Sequence, residues 1–184
     1  MEKKDGNKFI VLEGISGSGK TELGNRLAQQ ISAMYYTTPP TLFQPLRKSV
    51  DDIACMEARF LFYLASVVQA SHEISKILES QSVVCDKYIM STICYHTVFG
   101  LNVAIPSSTS YLQPDVTFLI TCSEEIRIKR LYNRGVEIGS KHDLQQPIER
   151  RCLIEFRKRA LCEIDNTSDN PQLAVEKMLS IIAR

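Results

Sequence analysis

Apolar residues fall along this chain in two rhythms. Unbroken runs, Phe9-Ile10-Val11-Leu12, Val83-Val84-Cys85 and Val116-Thr117-Phe118-Leu119-Ile120, have the length and composition of strands buried on both faces. Short strands are also predicted over 34–36 and 161–164; the first is stopped by Thr37-Thr38-Pro39-Pro40, whose prolines lack amide donors and fix the backbone. Elsewhere the apolar positions recur every three or four residues. Leu23, Leu27, Ala28 and Ile31 predict a helix over 21–31. Over 51–80 there is no Pro or Gly, and Ile53, Met56, Phe60, Leu64, Val67, Val68, Ile74, Ile77 and Leu78 predict one long helix or two joined ones. Further helices are expected over 91–100, from the cap and acidic turn Ser123-Glu124-Glu125 to the stop at Gly135, from Pro147 onward with Ile148, Leu153 and Phe156 inward, and over 173–182. The segment 101–113, with Pro106 and a run of Ser and Thr, reads as a dynamic loop.

Strands that alternate with helical stretches of this length require an α/β architecture, a parallel sheet with helices on both faces, because parallel neighbours need crossover connections. In such sheets the ligand lies past the carboxyl ends of the strands. Ser16, Thr38, Asp86 and Cys122 all arrive there.

The first strand runs directly into Gly14-Ile15-Ser16-Gly17-Ser18-Gly19-Lys20-Thr21, the pattern G-x-x-x-x-G-K-[ST], and a helix follows. Glycines let successive amides turn toward an anion, the lysine reaches the outer phosphates and the threonine hydroxyl can hold Mg²⁺. The candidate nucleotide-binding residues are therefore Gly14, Ser16, Gly17, Ser18, Gly19, Lys20 and Thr21, with ATP and Mg²⁺ as the expected co-substrate and metal. The competing explanation is a glycine-rich turn that binds nothing; it must account by accident for the fixed positions, the strand and the helix together.

Composition narrows the partners. At 184 residues the chain is sized for a single domain, 1–184, and 44% hydrophobic with 23% charged residues is ordinary for a folded globular protein. Twenty-two basic against 21 acidic residues give a net charge of +1, so no field draws nucleic acid or an anionic membrane, and a small-molecule partner is expected. The polar N-terminus and the short apolar run after it suit neither a signal peptide nor a membrane span, so cytoplasmic residence is expected. The six cysteines form no C-x-x-C pair and read as reduced thiols. The three histidines show no metal spacing and read as surface or loop residues.

Other residues add chemistry at the strand ends. Asp86 places a carboxylate beside the metal of the loop, as an outer-sphere ligand or as a base toward an acceptor, in competition with a plain turn cap. Lys87 offers a cation for a phosphate, in competition with a solvated lysine. Arg130 and Arg134 stand one helical turn apart, where one would cover the base and the other the transferring phosphoryl group. Lys141, Arg150 and Arg151 lie in or beside a polar segment that would close over the phosphates, whereas Arg157, Lys158 and Arg159 read as an exposed helix face.

The string 9–14 with its loop, Val84-Cys85-Asp86-Lys87-Tyr88, Pro114-Asp115-Val116-Thr117-Phe118-Leu119, Arg130 through Arg134-Gly135, and Ile164-Asp165-Asn166 resembles the thymidylate kinase family in order and spacing over nearly the whole chain. The resemblance implies a five-stranded parallel sheet of P-loop NTPase type, ATP and Mg²⁺ as co-substrates, a nucleoside monophosphate as acceptor, an arginine-bearing lid over 135–147 and a homodimer formed through helices. It matches Lys20 and Thr21 to the loop, Asp86 to the family's acid and Arg134 to the arginine before the lid; together with the residues' own chemistry this puts Lys20, Asp86, Lys87 and Arg134 in catalysis, Thr21 and Asp86 at the metal, and Arg130 on the nucleotide. The acceptor half departs from the family's pattern: Ser16 replaces an Asp, Thr38-Pro39-Pro40 an Arg-Glu-Pro, Lys87 an Arg, and no base-contacting Arg stands near Ser66. These departures remove charge, or at Lys87 the planar fork, where the acceptor binds, which leaves the acceptor open.

Three functions compete at this stage. The first is transfer of the γ-phosphate of Mg·ATP to a nucleoside monophosphate or close relative. The second is a small-molecule or nucleoside kinase acting on an unphosphorylated hydroxyl. The third is a nucleotide-binding regulatory protein that keeps the donor site alone.

Overall fold

A computed structural model of the protein describes residues 6–106, 109–135, 146–159 and 162–183. Strand β1 (Phe9–Glu13) is buried along its whole length because it lies at the centre of the sheet. Around it stand β2 (Met34–Thr37), β3 (Val83–Asp86), β4 (Val116–Thr121) and β5 (Cys162–Asp165), in the order β2-β3-β1-β4-β5 and all parallel. The expected five-stranded parallel α/β sheet is the one observed.

The two-residue period of β1 divides the core. Phe9 and Val11 face a cluster that includes Phe60, Leu64, Val67 and Ile74 of α3 (Met56–Ile77) and Ile89 of α4 (Ile89–Val98). Ile10 and Leu12 face Leu23, Leu27 and Ala28 of α1 (Lys20–Gln30) and Ala174, Val175 and Met178 of α7 (Gln172–Ile182). Both faces are apolar because helices cover both, the condition that turns an alternating strand into an unbroken apolar run. Helices α5 (Glu124–Asn133) and α6 (Gln146–Arg157) follow β4, and Ser123 caps α5 by accepting a hydrogen bond from the Ile126 amide at 3.3 Å.

The helical stretch expected over 51–80 is two helices, and the first begins earlier. After a 3₁₀ turn (Thr41–Phe43), α2 spans Gln44–Ile53, and α3 starts at Met56 after extended Ala54 and Cys55. Pro45 sits in the first turn of α2, where its missing amide breaks no helical hydrogen bond. Segment 101–113 was expected to be dynamic. Its alternating Leu101, Val103 and Ile105, with Tyr111 and Leu112, pack on the α3 side of the core, and the Leu112 amide donates to Ser71 Oγ at 2.6 Å. Cys85, Cys94 and Cys152 are buried, and all six cysteines are free. Among the described residues no helix is long and apolar enough to cross a membrane.

Candidate active site

The phosphate loop joins β1 to α1 at the carboxyl edge of the sheet. Gly14 leaves β1 beside the Ile120 carbonyl of β4, and Gly19 caps α1 in a left-handed conformation, φ 96°, so that the loop turns directly into the helix. A side chain on Gly19 would be forced into Asn166. Asn166, just past β5, donates to the Ser18 carbonyl at 2.9 Å, and Arg130 of α5 spans the same carbonyl at 3.2 Å and that of Asn166 at 2.9 Å. Asn166 and Arg130 thus hold the outer side of the loop at the Ser18 carbonyl.

Lys20 is nearly buried at 6% exposure; its ammonium donates to the Ile15 carbonyl at 2.8 Å and lies 3.4 Å from Ser18 Oγ. Burial, reinforced by the charge of Lys87, pushes this ammonium down to about 8, against the pull of Asp86, Glu13 and Glu149. A polyphosphate beside it would restore the full charge. Below about pH 8 the free protein already carries that proton, whereas above it binding must take one up. Calorimetry at pH 8 in buffers of different ionisation enthalpy is therefore expected to show uptake of roughly half a proton per nucleotide, with affinity falling as the pH rises further. A binding heat independent of the buffer would mean that Lys20 is already fully charged in the free protein or does not meet the phosphates.

Asp86 ends β3 opposite the loop. Its Oδ2 accepts from the Thr21 hydroxyl at 2.7 Å and from Tyr35 at 3.1 Å, while Oδ1 is buried with no partner. Lys87 follows with φ 67°, an uncommon conformation for a non-glycine residue. It is held by its own amide donating to Leu12 and by its carbonyl accepting from Thr38 Oγ1.

Two cavities meet here. The smaller, about 150 Å³, lies against Gly17, Gly19, Lys20, Thr21, Asp86 and the exposed Arg134 at the end of α5. The larger, about 430 Å³, extends toward α3 and α4. Ser16, Thr38, Arg47 and Lys87 border both, so the junction carries two cations, of which Arg47 lies 3.8 Å from Asp51 on the wall of the larger cavity. The rest of its lining mixes the aromatic and apolar Tyr63, Val67, Tyr95 and Phe99 with the charged Asp51, Asp52 and Arg59, and Tyr63 donates to Asp51 Oδ1 at 2.8 Å. Of the acceptor-half positions singled out in the sequence, Ser16, Thr38, Pro39, Ser66 and Lys87 border the larger cavity, and the buried Pro40 does not. Ser66 spends its hydroxyl on the Tyr63 carbonyl at 2.8 Å. The expected lid at 135–147, with Lys141, lies outside the described residues apart from its ends.

Several residues here were not read from the sequence as part of a site. Arg47 was missed with the start of α2, and Arg59 was hidden in a long helix; Arg59 now stands over the Phe99 ring at 4.7 Å on the cavity wall. His96, expected on the surface, is 3% exposed. Burial lowers its basicity, so the ring is neutral at pH 7; Nδ1–H donates to the Thr92 carbonyl at 2.7 Å, and Nε2 is a buried acceptor without a partner. Glu13 could have been noticed as a carboxylate closing an apolar run. It accepts from the Tyr88 amide at 2.9 Å and from the Ser91 amide at 3.2 Å, which fixes the start of α4, and burial raises its carboxyl above the usual range.

Comparison with known proteins agrees with this geometry. Residues 12–178 match the family model of thymidylate kinase. A "Probable thymidylate kinase" of Methanococcus vannielii is 34% identical over 148 residues, 78% of this chain and 75% of that protein. One from Methanocaldococcus jannaschii is 30% identical over 169 residues, 88% of each. Among solved structures, thymidylate kinase from Candida albicans superposes with a TM-score of 0.71 at 18% identity, covering 96% of this chain and 91% of that one. With a phosphate loop delivered by a central parallel strand, a second cavity opening from it, and relatives of this similarity over most of its length, the chain belongs to the thymidylate kinase family and is an ATP-dependent nucleotide kinase.

Proposed function

We propose that the protein transfers the γ-phosphate of Mg·ATP to thymidylate or a close pyrimidine nucleoside monophosphate. The observation that carries this is the cationic junction: Arg47 and Lys87 stand where the phosphate-loop cavity opens into a second cavity large enough for one nucleotide. Donor and acceptor phosphates would meet between these charges, and positioning with charge neutralisation is most of what phosphoryl transfer needs. Among the lining residues, Tyr63, Val67 and Phe99 suit a planar base, and the relatives named as thymidylate kinases support thymine as that base.

The residues present fit a magnesium ion. Thr21 and Asp86 would hold it, and the orphaned Oδ1 of Asp86 is a buried acceptor of the kind that a metal-bound water satisfies. Among the described residues no three His, Cys, Asp or Glu side chains cluster to cage a metal, so the ion would draw ligands from the substrate's phosphates, as magnesium does. When bound it supplies positive charge to the phosphate oxygens. Lys20 and Arg134 add charge from the protein, and Arg130 holds the loop's outer side against the nucleotide.

The test is a coupled assay with Mg·ATP and a panel of acceptors: thymidylate, uridylate, cytidylate, purine monophosphates and the unphosphorylated nucleosides. Turnover is expected with thymidylate and to be absent with nucleosides. Stimulation by nucleosides alone would instead establish a hydroxyl kinase, and nucleotide binding with no turnover on any acceptor a regulatory protein.

A further inference from the structure

Helix α5 presses on the back of the phosphate loop, and the residue at the contact is Arg127. It is 1% exposed. Its guanidinium pairs with Glu124 on its own helix at 2.9 and 3.0 Å and with the buried Glu149 of α6 at 2.5 Å, and Nη1 also donates to the Ser16 carbonyl of the loop at 3.5 Å. The fit is close: a side chain on Gly17 would stand 2.8 Å from Arg127 Cγ and 3.1 Å from the Arg127 carbonyl, and Gly17 has φ 82°. Arg130 and Arg134 on this helix carry the one-turn spacing toward its end that marks a phosphate site in the sequence, whereas Arg127 lies a turn earlier.

The peptide between Ser16 and Gly17 is trans, since the cis bond among the described residues is Thr38-Pro39. Carbonyl and amide of a trans peptide point in opposite directions. A guanidinium that holds the Ser16 carbonyl behind the loop therefore turns the Gly17 amide toward the loop's interior. Ser16 borders both cavities and Glu149 borders the larger one, so Arg127 stands behind a wall shared by donor and acceptor.

We propose that Arg127 is a positioning residue for phosphoryl transfer: held by Glu124 and Glu149, it fixes the Ser16 carbonyl and thereby aims the Gly17 amide at the phosphates. Preorganised donors of this kind act where charge develops in the transition state, so their loss shows in kcat. This role rests on the loop binding ATP as proposed above. The competing role is charge balance alone, in which Arg127 serves only to neutralise two carboxylates.

The two roles separate because a buried ion pair can be replaced by apolar side chains with little loss of stability, whereas removing one partner strands the other charge. Arg127→Met alone is expected to lower the thermal midpoint, and Arg127→Met with Glu149→Met to recover most of it. In that double variant kcat should remain about 10- to 100-fold below both the wild type and Glu149→Met alone, which controls for the place of Glu149 on the wall of the larger cavity, with ATP binding weakened. A double variant with wild-type kcat overturns the proposal. Should the double variant fail to fold, Arg127→Lys decides: it keeps the charge between the glutamates but not the planar fork, so a folded enzyme with lowered kcat supports positioning and one with unchanged kcat refutes it. If the wild type itself binds no nucleotide, it is the functional assignment that fails.

Discussion

Replacing Lys20 by Met is expected to lower kcat/KM by about 10³-fold or more while leaving the protein at least as stable as before. The two halves of this expectation have one cause. The ammonium is buried in the free protein and its proton affinity is depressed to about 8, so at neutral pH its charge opposes folding by an amount on the order of 3 kcal/mol. Methionine fills similar space without that charge, at the loss of the hydrogen bond to the Ile15 carbonyl. Catalysis loses the cation that reaches the outer phosphates. Thermal unfolding and steady-state kinetics on one preparation check both halves. A variant that keeps its activity would remove Lys20 from the reaction, and one that loses stability sharply would make its charge a structural element.

The second large effect is expected at Asp86. Asp86→Asn preserves the shape, and the amide oxygen can still accept from Thr21 and Tyr35 where Oδ2 does now. What disappears is the negative charge facing the metal. We expect kcat to fall about 10²-fold and the magnesium concentration for half-maximal rate to rise about 10-fold, the usual scale for groups that orient a metal's ligands. A magnesium titration of both proteins at saturating ATP measures this. An unchanged magnesium requirement with lowered kcat would move Asp86 from the metal to the acceptor, as the base.

Much of the fold was legible because its signals are local. Runs such as Phe9 to Leu12 and Val116 to Ile120 can only be strands covered on both faces, and a loop of eight consecutive residues carries its own phosphate chemistry. The start of α2 was less legible. Its apolar Leu46 and Ile53 remain exposed, so the pattern that marks a core-facing helix was weak there.

The acceptor wall was less legible still. On α5, Arg127, Lys129, Arg130 and Arg134 are near-identical signals in a charged helix, yet the first is buried and the last exposed. Glu124 on the same helix supplies one partner, and Glu149, delivered from α6, supplies the buried second one that makes the interior tolerable for this guanidinium and not the others. His96 is a similar case: one residue of an apolar helix became a neutral acceptor because Phe60 and Phe99 packed around it.

The amino-acid order by itself determined the element types, the parallel sheet and the phosphate loop, since each depends on spacing over a few residues that hydrophobic burial and backbone geometry read directly. Tertiary structure alone decided which of many equivalent charges enter the site, how two cavities meet at Arg47 and Lys87, and which carboxylates buttress the loop. Charge burial depends on partners brought from distant segments, and a lone charged residue in a sequence carries no mark of the partner it will find.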